Sequence, residues 1–181
     1  MVAYCVNYKV RINSTFSRQD LESLHGSFMA SKNGISRVVL IYQPENFLSA
    51  VKAYQEALNI TDFEGPYEFQ QVGLKVVKSW DTGVEIISPL PEGGYSGYLR
   101  DFLKSKGEGM FNLIYRVNNL QSAESHAAAH GYPPVGDCQD ALEVHKEWRK
   151  RFTMLKELPL SPIAGVPVTL VQAEVVDDRQ T

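Results

Sequence analysis

Apolar and polar positions alternate regularly from residue 35 onward, and the period switches repeatedly between two and about 3.6. Residues 36–42 (SRVVLIY) read as a strand with Arg37, Val39 and Ile41 on one face. Pro44 and Glu45 open a helix in which Phe47, Val51, Tyr54 and Leu58 keep helical spacing, and it ends near Asn59. Three strands follow at 68–72, 74–80 and 83–88, with Asp81-Thr82-Gly83 turning the last hairpin and Pro89 stopping the run. The order is βαβββ. After the link Glu92-Gly93-Gly94 comes a short amphipathic helix at about 98–104. The order then restarts with a strand at 110–117, an alanine-rich helix at 122–130, and strands at 152–158 and 166–172.

The second round opens at residues 106–117 (KGEGMFNLIYRV), where Gly107 and Gly109 permit a tight entry that bulkier residues would block. Phe111, Leu113, Tyr115 and Val117 then share one strand face, and Asn112, Ile114 and Arg116 take the other. Leu48-Ser49-Ala50 after the first strand is echoed by Gln121-Ser122-Ala123 after the second, so the chain reads as an internal repeat. The modules are 35–91 and 92–181. The second carries an insertion at 137–150, in which Leu142, Trp148 and dense charge indicate an inserted helix or lid with its charges in solvent. Residues 1–34 read as an extension, a weakly alternating strand at 2–12 and a helix from Ser17 to about Ala30.

With 181 residues, 44% of them hydrophobic, the chain can bury a sizeable core. Its net charge of −3, with both signs interspersed, gives no footprint for nucleic acid or an anionic membrane. No apolar run approaches the roughly 18 residues of a spanning helix, and the first residues lack a signal peptide's layout, so a cytoplasmic protein is expected. Cys5 and Cys138 suit reduced thiols. His126 and His130 are four apart on a predicted helix, a zinc-like spacing with no third ligand near it; they read as surface histidines, as do His25 and His145. No phosphate loop or dinucleotide fingerprint is present, so no nucleotide cofactor is indicated.

The paired βαβββ order, the phrase Gly83-Val84-Glu85-Ile86-Ile87-Ser88-Pro89, and Gly107-Glu108-Gly109 leading into an apolar strand together resemble the vicinal oxygen chelate superfamily. The nearest flavour is its methylmalonyl-CoA epimerase and glyoxalase-like branch, over about residues 35–172. The resemblance implies an α+β fold in which two modules form an open, curved mixed sheet around a cavity. It also implies a divalent metal held by four strands, and the matching positions are Arg37, Glu85, Asn112 and Thr169. Only Glu85 is a good ligand, since Arg37 stays protonated and Asn112 and Thr169 offer neutral oxygens. A shifted last strand would bring Glu174 instead of Thr169. Neither a metal nor another cofactor is therefore expected.

Two readings of the altered corner stand level. In one, Arg37 and Glu85 form a salt bridge that fills the metal position. In the other, Arg37 anchors a substrate oxyanion, Glu85 moves a proton, and Asn112 and Thr169 orient the substrate. Trp80, Tyr98 and Phe102 are the aromatics expected at the cavity, with Tyr67 and Tyr95 nearby in sequence. The expected function is a metal-independent isomerase or lyase acting on an oxygenated, apolar, aromatic or polyketide-like molecule. The alternatives are a binding protein of the bleomycin-resistance type and a metal-dependent epimerase or glyoxalase-like enzyme with an atypical site. A coenzyme A ester is less favoured, because no basic cluster stands out. A homodimer is expected, since open sheets of this family often pack or swap modules.

Overall fold

Strong alternation from residue 34 to residue 175 builds one eight-stranded sheet, and helices occupy the stretches where the period lengthens. The computed structural model describes residues 33–176; the expected strand and helix of the extension, with Cys5 and His25, lie outside the described residues. The first half contains β1 (Gly34–Ile41), α1 (Phe47–Leu58), β2 (Glu64–Phe69), β3 (Leu74–Lys78) and β4 (Val84–Pro89), and α2 (Ser96–Lys106) follows. The second contains β5 (Gly109–Arg116), α3 (Leu120–Ala129), β6 (Gln139–Asp140), α4 (Ala141–Val144), a 3-10 turn (Lys146–Lys150), β7 (Phe152–Ile163) and β8 (Val166–Val175).

The strand order is β2-β3-β4-β1-β5-β8-β7-β6, so the halves meet along an antiparallel β1–β5 seam. Within each half one pair is parallel, β1 with β4 and β5 with β8. The sheet curls into a half barrel. Its two faces follow from side-chain parity. Val39, Ile41, Val76, Ile87, Ile114, Leu155 and Val171 belong to an inner cluster, closed by Leu99 and Leu103 of α2 and by Leu142 and Trp148. On the outer face α1 lays Phe47 over Leu40, Val77 and Ile86, and α3 lays Leu120 over Leu158, Leu160 and Leu170.

Two expectations shift. The strand placed at 68–72 runs instead at Glu64–Phe69, because residues 70–73 turn, with Gly73 N–H donating to the Phe69 and Gln70 carbonyls. β2 contains Gly65 and Pro66 and is an edge strand, where proline is tolerated. The insertion keeps Glu143, Lys146, Arg149 and Lys150 in solvent but is not one helix. It folds as a two-residue strand, one turn of helix and a 3-10 turn, with Leu142 and Trp148 buried at 4% and 3% exposure. Among the described residues no helix is long and apolar enough to cross a membrane.

The glycine-bracketed turn has a definite job. Gly107 and Gly109 take φ of 81° and 125°, which L side chains rarely adopt. The turn they make delivers Glu108 to the start of α1, where one carboxylate oxygen accepts from Gln43 N–H and from Asn46 Nδ2, both at 2.9 Å. A negative charge at a helix N-terminus is favourable, and Asn46 makes no side-chain cap of its own. Replacing Glu108 with Ala should therefore cost about 1 kcal/mol of stability, the usual scale for a lost N-terminal cap. Urea unfolding measures this, and an unchanged midpoint would show that the carboxylate contributes nothing.

Candidate functional site

Register decides which polar side chains meet on the inner face. Val39 lies opposite both Glu85 and Asn112, Arg37 opposite Ile114, and Ile114 opposite Thr169. Directly paired residues point to the same side of a sheet, so Arg37, Glu85, Asn112 and Thr169 all face inward. The last strand is in the register that presents Thr169, which is 7% exposed. Glu174 falls on the opposite parity and is exposed. Arg37 Nε stands 3.3 Å from Glu85 Oε2. Asn112 Nδ2 donates to Thr169 Oγ1 at 3.0 Å, and its Oδ1 has no partner.

The same parity brings in side chains that the sequence reading passed over. Lys78 pairs directly with Glu85 across β3–β4, and its Nζ sits 2.8 Å from Glu85 Oε2. Glu157 lies opposite Val171 on β7 and takes the other end of Arg37 through Nη2. Two cations and two carboxylates thus interlock, and both cations approach Glu85 as ion pairs rather than as aligned hydrogen bonds. Lys78 is 0% exposed and Arg37 5%. Leu74-Val76-Lys78 and Leu155-Glu157 alternate with the apolar inner residues. That alternation was the available signal for both charges.

Aromatic rings enclose the cluster. Lys78 Nζ lies 3.6 Å from the Trp148 ring centroid and 4.3 Å from that of Trp80, and the two indoles meet edge to face at 5.4 Å. His145, expected at the surface, instead stacks on Trp148 at 3.8 Å and meets the edge of Phe69. Tyr98 and Phe102 pack on Phe111, with Tyr98 56% exposed. Of the expected aromatics, Trp80 is the one in contact with the charged cluster. His126 and His130 lie on the exposed side of α3, with His130 Nδ1 facing the His126 carbonyl.

Burial and charge set the ionisation. Burial pushes the Lys78 ammonium down to about 8, partly opposed by Glu85. Burial also pushes His145 down to about 3, helped by Lys78, so the imidazole is neutral near pH 7. Burial works against an ionised Glu85, but Lys78 and Arg37 outweigh it and hold the carboxyl below its usual range. For Arg37 burial is likewise outweighed, by Glu157 and Glu85, and the guanidinium is held more firmly charged.

A divalent ion does not fit this donor set. The Glu85 carboxylate is already engaged by an ammonium and a guanidinium, which repel a further cation, and among the described residues no three His, Cys, Asp or Glu side chains converge.

Comparison with known proteins rests on structure. No protein-family model and no curated protein sequence matches this chain. A hypothetical protein from Bacillus halodurans C-125 superposes with a TM-score of 0.60 at 12% identity, over 82% of this chain and 100% of that one. Methylmalonyl-CoA epimerase from Mycobacterium tuberculosis gives 0.54 at 17% identity, over 77% and 87%. A triple mutant of 4-hydroxymandelate synthase from Streptomyces coelicolor gives 0.59 at 15% identity, over 81% of this chain and 50% of that one. The last two enzymes are vicinal oxygen chelate proteins. This chain has the vicinal oxygen chelate fold. Arg37, Glu85, Asn112 and Thr169 lie together on its inner face, with Lys78 reaching between Glu85 and the indoles.

The depressed Lys78 value carries a stability consequence. Between pH 8 and the ordinary lysine value of 10.5 the unfolded chain still holds the proton that the folded chain has released. Stability therefore rises with pH across this window, while below pH 8 the cost of burying the charge is fully present. Wild type should gain on Lys78→Met by up to about 3 kcal/mol from pH 8 to pH 10.5. Denaturant titrations of both proteins across the window check this, and a difference that does not vary with pH contradicts it.

Proposed function

We propose that the chain is a metal-independent enzyme of isomerase or lyase type acting on an oxygenated, largely apolar small molecule. The observation that carries this reading is the convergence of Arg37 and Lys78 on Glu85 at the inner face, where the fold offers its ligand corners. Two fixed cations supply the electrostatic stabilisation of a developing enolate, phenolate or carboxylate oxygen, and they do so in a site where water does not compete. A methylmalonyl-CoA epimerase has been solved in complex with methylmalonyl-CoA and NH4+. The parallel is an ammonium group, NH4+ there and the Lys78 side chain here.

The proton-carrying role suits Lys78 better than Glu85. An amine near pH 8 is matched to proton transfer at neutral pH, whereas a carboxylate pinned by two cations is a poor base. Glu85 and Glu157 serve as counter-charges that hold Lys78 and Arg37 in place. Asn112 Oδ1, unpaired beside Thr169, is free to accept a substrate hydroxyl. A second reading, a non-catalytic binding protein of the bleomycin-resistance type, draws support from Trp148, which lies over Lys78 and closes the inner face.

The deciding experiment begins with mass-spectrometric identification of what copurifies with the protein, followed by turnover assays on that compound. Lys78→Met should lower turnover by roughly 10²-fold or more, the scale for losing a positioned acid or base. The wild-type preparation should hold no stoichiometric divalent ion. Turnover at the wild-type rate in Lys78→Met sinks the enzyme reading. We also propose a homodimer, since β2 and the two-residue β6 leave strand edges at both ends of the sheet. Light scattering should give twice the chain mass, and a single-chain mass over a broad concentration range rules the dimer out.

A further inference from the structure

The inner face is closed by a segment that grips it through side chains alone. Within residues 141–150 the backbone bonds are local: His145 N–H donates to Ala141 O, Trp148 N–H to His145 O, and Arg151 N–H to Trp148 O. Leu142 N–H donates to Asp140 Oδ1, and Arg149 Nε to Leu142 O. None of these bonds reaches the sheet centre. The segment is seated by Ala141, Leu142 and Trp148 in the inner cluster, by His145 against Phe69, and by the exposed Lys150–Glu64 pair at 3.7 Å. Exposed pairs of that kind contribute little. Both ends are tethered, by β6 pairing with β7 before the segment and by Phe152 opening β7 after it. Such a unit can lift without breaking a backbone bond of the sheet, by withdrawing Ala141, Leu142 and Trp148 from the inner cluster.

Trp148 is the part of this cover that matters chemically. Its ring lies over the Lys78 ammonium at 3.6 Å, yet its Nε1 is buried with no hydrogen-bond partner. A buried indole N–H normally finds an acceptor. The indole here fills the space above a cation while leaving its own polar atom unused. Trp80 and Phe152, with ring centroids 5.1 Å apart, wall the same space. Beneath the rings lie Lys78 and Arg37, both drawn to the single Glu85 carboxylate.

Building on the function proposed above, we infer that residues 141–150 are a movable cover and that the ligand beneath it is a planar conjugated anion, whose ring takes the place of Trp148 over Lys78. The chemical class is an aryl carboxylate, phenolate or enolate. Its negative oxygen pairs with Lys78 and Arg37, and its ring meets Trp80 edge to face, as Trp148 does. A non-planar anion of equal charge does not fit between the rings.

Hydrogen exchange on the full chain tests the cover. Amides of 141–150 should exchange through local opening, at least 100-fold faster than those of β7 and β8 and without dependence on low denaturant. Exchange as slow as β7, and only with global unfolding, overturns the proposal. The ligand class is read from emission, because the chain has two tryptophans and both flank Lys78. Benzoate should change the emission saturably and raise acrylamide quenching as Trp148 leaves. Cyclohexanecarboxylate, of equal charge but not planar, should bind at least 10-fold more weakly. Equal binding of the two overturns the assignment of a planar ligand. If wild type ignores benzoate while Trp148→Ala or Trp148→Phe binds it, the cover does not open and this inference fails, with the proposed function intact. If neither folded variant binds benzoate, the oxyanion site itself is refuted and the proposed function falls with it.

Discussion

Burying two cations inside a β-sheet is tolerable only if carboxylates meet them, and the rest of the inner face is arranged around that requirement. Lys78 and Arg37 lose almost all contact with water. Glu85 compensates both at once, and Glu157 compensates the far end of Arg37. Removing one carboxylate strands a buried charge, which is far more damaging than losing an exposed pair. The aromatic rings around Lys78 add cation–π attraction that water would otherwise supply as hydration. Packing and electrostatics are one arrangement here, because the rings that exclude water are the ones that face the charge.

Sheet geometry brings these groups together with little help from loops. Five of them stand on regular strands whose parity is fixed by the apolar residues two positions away. Val39 and Ile41 orient Arg37, Ile87 orients Glu85, Val76 orients Lys78, Leu155 orients Glu157, and Val171 orients Thr169. A slip of one residue in any strand would send its charge to the helix-covered outer face, away from the partners that now meet it. The hydrophobic pattern thus specifies the charged site as firmly as it specifies the core.

Most of this was readable from alternation. The strand holding Arg37, the helix after it, the strand holding Glu85 and the glycine-bracketed entry to β5 all lie within a few residues of where their patterns put them. The inward register of Thr169 was readable for the same reason. Lys78 and Glu157 were passed over because a charge in a strand is ordinarily taken as a solvent-facing position, and parity has to be allowed to outvote composition. His145 and Trp148 sit in a segment without sustained periodicity. Short helical turns place side chains by tertiary packing, and no local pattern announces which of them point inward.

The β1–β5 seam divides the buried charges unevenly. Arg37, Lys78 and Glu85 come from β1, β3 and β4 and sum to one positive charge, while Glu157 comes from β7 and is negative. The far end of Arg37 therefore finds its carboxylate only when the halves close on one another. A half docked out of register would leave that end of Arg37 buried without its partner, so the mating of the two halves is checked by charge as well as by shape.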